Sequence, residues 1–278
     1  IGYGFLFSKL IFKEFVVLNY GYQGILGFFI LCLISIITSY FTAHNYLHNI
    51  IIHTLGTIFF FSNLFNNKKD RLKELKILIL ITLALLIGLY VFKNHDDFPY
   101  YHLTYALNLS ENKFMIGMGS FSHGFRTPSS IFYYHSLLYL PYIKYYLFHA
   151  GPFIILIFFN YILLTKIFFK YQKQEFDIIY YLSLLNFIFI DVVFYRIGAH
   201  GVDRSGQILL ILSFIIFLDL LFFKKDEEKT NLKINFILVM IFLASSMKAL
   251  FYIYLILVPI ILLKTDYLKK YFKKKNSI

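Results

Sequence analysis

Residues 234–263 read INFILVMIFLASSMKALFYIYLILVPIILL, thirty consecutive positions whose only charge is Lys248. About 20 apolar residues carry a helix across the hydrocarbon core of a bilayer. A lysine inside such a stretch costs on the order of 2.5–3.5 kcal/mol unless it finds a partner or a wet cavity. A single helix here would strand the basic tail, Lys264 to Lys275, on the opposite side of the membrane from the other lysine clusters. Two short helices meeting at Ser245-Ser246-Met247-Lys248 bring the tail back, and this is the expected arrangement. Broken helices are tolerated at membrane depth where protein or water satisfies the freed backbone groups.

Runs of the same kind recur along the chain: Gly21–Phe41, Leu47–Phe65, Ile77–Phe92, Pro152–Phe169, Phe176–Tyr195 and Ile208–Phe223. The 278 residues are 59% hydrophobic and only 15% charged, against about 25% charged in a soluble domain. The pattern predicts an all-α fold, a polytopic transmembrane helix bundle of about eight or nine spans, with residues 1–278 forming one integral-membrane domain. A transmembrane β-barrel would show alternating segments of about 10 residues instead. The chain lacks an initiator Met and opens on what reads as the end of a helix, so it is expected to be a fragment of a longer chain.

The net charge of +12 raises the question of nucleic acid. Most of it lies in short loops and in the Lys264–Lys275 tail, as the excess of lysine on the cytoplasmic side of membrane proteins requires. The expected partner is the lipid bilayer, with no nucleic acid. The single cysteine, Cys32, excludes a disulfide framework and a thiol metal site.

The same charge bias sets a path. Lys9 and Lys13, Asn66 to Arg71, Lys166 to Lys173 and Lys224 to Lys229 fall on the cytoplasmic side. Residues 93–150 become a long outer loop carrying interfacial helices. Within it, Ile131–Ala150 is expected at the outer interface or as a shallow re-entrant piece, because Tyr favours headgroup level. On this path three of the four arginines (Arg126, Arg196 and Arg204) lie outside, as do eight of the nine histidines, His53 being the exception. Guanidinium groups that defy the bias point to a site for something anionic. Arg196 has an alternative partner in Asp191, one or two turns away.

Four constellations carry chemistry. His95-Asp96-Asp97-Phe98-Pro99-Tyr100-Tyr101-His102 offers a carboxylate just outside the bilayer, suited to general-base work on a hydroxyl. With His95 or His102 it is also suited to a divalent cation, although Asp-Phe-Pro-Tyr equally resembles a turn or helix cap. The second, Gly117 to Ser130, surrounds His123 and Arg126 with small residues whose backbone can approach an anion. Ser129 or Ser130 reads there as a helix N-cap. The third runs from Arg196 to Gln207 and holds His200, Asp203 and Arg204, the last two either lining a pocket or pairing with each other. Lys248 is the fourth.

Taken in order, Gly4 to Leu10, Asp96 to His102, Gly124 to Ser130, His200 to Gln207 and Lys248 resemble bacterial polytopic membrane proteins of the GT-C glycosyltransferase type. More closely, they resemble a branch found in surface-polysaccharide gene clusters. The resemblance implies a multi-pass protein of the bacterial inner membrane. It implies transfer of a sugar from a polyprenyl-phosphate-linked donor to a glycan or lipid acceptor on the outer face. It also implies an acidic catalytic residue in an outer loop, Asp97 or Asp96. His102, His123, Arg126, His200, Asp203, Arg204 and Lys248 would bind substrate, with Arg126, Arg204 and Lys248 neutralising the phosphate. Alternatives are a polysaccharide polymerase, or a transporter or flippase of lipid-linked oligosaccharide.

Overall fold

A computed structural model of the chain describes residues 1–11, 18–66, 68–90, 97–194, 201–222 and 227–264. Eleven α-helices account for most of them: α1 (Gly2–Ile11), α2 (Tyr20–Ser39), α3 (Tyr46–Asn66), α4 (Lys68–Tyr90), α5 (Leu103–Glu111), α6 (Ser130–Leu137), α7 (Ala150–Gln172), α8 (Ile178–Val193), α9 (Gly201–Phe222), α10 (Glu227–Met247) and α11 (Leu257–Lys264). Among the described residues no strand forms; Leu140 and Lys144 make one isolated bridge. The all-α bundle is therefore as the apolar runs predict.

Among the described residues five helices are long and apolar enough to cross a membrane: α2, α3, α7, α9 from Val202 and α10 from Thr230. The chain is a multi-pass membrane protein, with fewer such helices than the eight or nine spans expected. α4 has the length, at 23 residues, but seven of the nine positions Lys68–Lys76 are charged. α8 has 16 residues, about 24 Å at 1.5 Å per residue. The last stretch combines a 3₁₀ segment, Ala249–Ile256, with α11. Eight residues at about 2.0 Å and eight at about 1.5 Å give about 28 Å, close to the hydrocarbon thickness. Tight 3₁₀ winding thus stretches a short segment towards a full crossing. The break itself falls at Lys248, as expected, but α10 begins at Glu227 and is a full-length helix.

Helix ends sort into two sets. Lys166 of α7 (3.4 Å) and Lys233 of α10 both reach Asp219 of α9. Glu74 of α4 accepts the Tyr20 amide at the start of α2 (3.0 Å). One end of the bundle, rich in lysine, therefore gathers the first turns of α2, α4 and α10 with the last turns of α7 and α9. Helix contacts inside the bundle rest on close packing, since lipid is as apolar as leucine. A Cβ on Gly4 of α1 would lie 1.9 Å from the Gln23 carbonyl oxygen of α2, so only glycine permits that approach.

At the opposite end, Ile131–Ala150 divides into the short helix α6 and a run of turns. All eight residues of α6 are buried, among α2, α5, α7 and α10. The remainder, 138–149, is turns, with Tyr142, Tyr145 and Tyr146 exposed. Tyrosine that suits a headgroup also suits a protein interior when its hydroxyl finds a partner: Tyr133 and Tyr105 share a hydrogen bond of 3.1 Å. A helix of two turns cannot satisfy its own last carbonyls. Asn49 and His53, one turn apart on α3, do so instead. The Asn49 amide donates to Ser136 O (2.8 Å) and Tyr139 O (2.9 Å), and His53 Nε2 donates to Leu137 O (2.8 Å). His44 Nδ1 meets Ser136 Oγ at 2.6 Å.

Candidate functional site

At the end away from the lysine clusters, a cavity of about 500 Å³ opens between the turn before α5, the start of α6, the start of α9 and the end of α10. Asp97, Tyr101 and His102 line it from one side, Arg126 to Ser129 from another, Val202 and Asp203 from α9, and Ser245 to Tyr252 from the break after α10.

Local sequence explains each wall. Phe98–His102 is a single π turn closed by the bond from the Leu103 amide to Phe98 O, with Pro99 near its start. Proline fits the first turn because no amide is needed there, and π turns recur at functional sites. Asp97 precedes the turn and receives a hydrogen bond from the Tyr101 hydroxyl. Burial first, then Asp97 and Asp203, push the Tyr101 phenol above its ordinary value.

The second wall rests on Gly124, where a Cβ would come within 2.4 Å of the Tyr101 Cβ. Glycine thus lets the 3₁₀ turn His123–Arg126 press on the π turn and brings Arg126 to the rim. Arg126 Nε donates to Gly119 O (3.1 Å). Its terminal nitrogens make no hydrogen bond among the described residues.

At the fourth wall, Lys248 takes extended backbone angles (φ −151°, ψ 135°) that end α10. The Phe251 ring then occupies the space a side chain on Gly206 would need, 2.1 Å from its Cβ position. That seat fixes the 3₁₀ segment on α9, and one turn earlier Asp203 Oδ1 meets Lys248 Nζ at 2.5 Å. Both side chains are about half exposed, 51% and 42% respectively. A pair this wet contributes about 0–1 kcal/mol, so an incoming anion that takes Lys248 from Asp203 gives up little.

Five expected site residues therefore converge: Asp97, His102, Arg126, Asp203 and Lys248. His123 is exposed and off the lining. Arg204 follows Asp203 on α9, about 100° round the helix, and stacks over the Phe194 ring (5.4 Å) outside the cavity wall. Asp96, His200 and Arg196 lie outside the described residues. Asp191 accepts from Asn160 of α7 (2.8 Å). Among the described residues no three His, Cys, Asp or Glu side chains group to hold a metal ion; His95 and Asp96, half of the proposed divalent-cation set, lie outside them.

Sequence reasoning did not nominate Tyr101, Ser129, Ser246 or Tyr252, which also line the cavity. Tyr101 carries a usable signal, since it stands four residues after Asp97 and so on the same side of a helical turn. Burial around α6 holds two histidines neutral. His135 is pushed down to about 3 by burial and then by His102 and His149. His44 is pushed down to about 3 by burial and then by His48, against a backbone bond to Ser35. In comparisons with known proteins, no family model, no curated protein and no solved structure matches the chain.

Proposed function

We propose that the chain is a glycosyltransferase-like membrane protein of the GT-C type, moving a sugar from a polyprenyl-phosphate donor to a glycan or lipid acceptor in this cavity. The observation that carries the reading is the meeting, in one cavity at the end away from the lysine clusters, of two carboxylates, two cations and an imidazole drawn from four separated segments. Asp97 takes the proton of the acceptor hydroxyl as its oxygen bonds to the anomeric carbon. The bond from that carbon to the phosphate oxygen breaks, and the polyprenyl phosphate leaves with the electron pair. Arg126 and Lys248 face the charge that develops on the phosphate, the electrostatic contribution that dominates such transfers. His102 hydrogen-bonds sugar or phosphate.

The test is transfer of a labelled sugar from a polyprenyl-phosphate donor in proteoliposomes. Asp97→Asn is expected to lower transfer by about 10²–10⁴-fold, the usual contribution of a general base, with insertion and melting unchanged. Wild-type activity in both Asp96→Asn and Asp97→Asn removes the general-base role and favours the polymerase reading.

A further inference from the structure

A serine at a helix N-cap normally turns its hydroxyl back on the amides of the first turn. Ser129 has the N-cap backbone of α6 (φ −133°, ψ 134°), yet its side chain makes no capping bond. The residue is 3% exposed, its Oγ is buried with no hydrogen-bond partner among the described residues, and the residue stands in the cavity wall. A buried hydroxyl left in that state is destabilising, and a ligand arriving in the cavity would relieve it.

The surroundings favour an anion. The first amides of α6 have no carbonyl behind them within the helix, and they form its positive pole. The Phe132 amide already bonds back to Ser129 O (3.0 Å), so Ser130 and Ile131 carry the remaining leading amides. Ser130 Oγ is held by Ser246 Oγ (2.8 Å), tying the start of α6 to the end of α10 beside Lys248. Arg126, three residues upstream of Ser129, lines the same cavity.

We propose that the amino end of α6 is a phosphate seat, formed by the Ser129 hydroxyl and the Ser130 and Ile131 amides and flanked by Arg126 and Lys248. Helix amino ends suit phosphate because donors and dipole act together. The seat deepens the transferase reading and rests on it for the donor's identity, while its test needs binding alone. The shared chemistry is a phosphate anion, from a lipid headgroup or a free phosphate.

The full chain in nanodiscs is titrated with farnesyl phosphate, inorganic phosphate and farnesol, reading melting temperature and affinity. Farnesyl phosphate is expected to stabilise the wild type and farnesol is not. A response to inorganic phosphate as well assigns the seat to the phosphate itself; a response to the lipid alone assigns it to a lipid headgroup. Ser129→Ala should weaken phosphate binding at least tenfold with the ligand-free melting temperature unchanged, and Ser129→Thr, which keeps the hydroxyl, should retain binding. Wild-type affinity in Ser129→Ala overturns the seat. So does a fall in its ligand-free stability of the size of a lost cap, equal stabilisation by farnesol, or failure of both phosphates to bind. Phosphate binding lost on Ser129→Ala in a chain that transfers no sugar would support the seat and overturn the enzymatic reading.

Discussion

The two ends of the bundle handle charge in opposite ways. At the lysine-rich end, charges are closed on one another. Asp219, 3% exposed, lies between Lys166 and Lys233. Arg71 bonds Glu74 and the Leu18 carbonyl, both at 3.0 Å, and covers the Tyr20 ring. Lys170 pairs with Asp177, which also caps α8 through the amides of Ile179 and Tyr180. At the other end, Lys248 and Asp203 form a half-exposed pair, and among the described residues Arg126 bonds only a carbonyl and the Ser129 hydroxyl bonds nothing. The closed end uses these charges on the fold. The open end keeps capacity for a ligand, and that difference is the physical content of calling it a site.

If the closed end is structural, Asp219→Asn should destabilise by about 3 kcal/mol, because it removes one partner of a buried ion cluster. Melting of the purified protein checks this, and a change below about 1 kcal/mol would erase the contrast.

Acid should act next, and on the open end first. His44 and His135 sit near α6 with folded values of about 3, against about 6.5 when unfolded. Below pH 6.5 the unfolded chain binds protons that the folded chain refuses, so stability falls with pH through the window from 6.5 towards 3. At pH 5 this amounts to about 2 kcal/mol for each histidine. Asp177 behaves otherwise. Burial works to raise it, but the Lys170 bond and the α8 amides outweigh burial and hold it below the usual carboxylate range. Its contribution is present above the unfolded value of about 3.9 and lost only as pH falls below that. Melting curves between pH 7 and 5 therefore report the open end, and His44→Gln with His135→Gln should flatten them. The smallest effect belongs to Asp203→Asn, which should change stability by less than about 1 kcal/mol because its pair is wet.

Much of this was legible in the chain itself. One lysine in thirty otherwise uncharged positions marks the break at Lys248. The arginine at position 126 stands out against the charge bias, and the cavity contains it. Neighbouring positions were harder. Asp203 and Arg204 share a motif, but a helix beginning at Gly201 turns one towards the cavity and the other onto Phe194. That phase depends on where the helix starts, which the string does not mark. The burial of α6 was hidden for a related reason. Tyr, His and Ser suit both a membrane surface and a polar interior, and only the partners on α3 and α5 decide between them. Ser129 reads as a cap from its position, while its hydroxyl makes no capping bond.

The central claim, that the open end is where a phosphate-linked sugar binds, is tested most directly by an experimental structure of the chain with a non-hydrolysable polyprenyl-phosphate sugar. The account predicts the phosphate between Arg126, Lys248 and the start of α6, with the anomeric carbon towards Asp97. Phosphate density instead at the lysine-rich end, against Arg71 or Lys166, would contradict it.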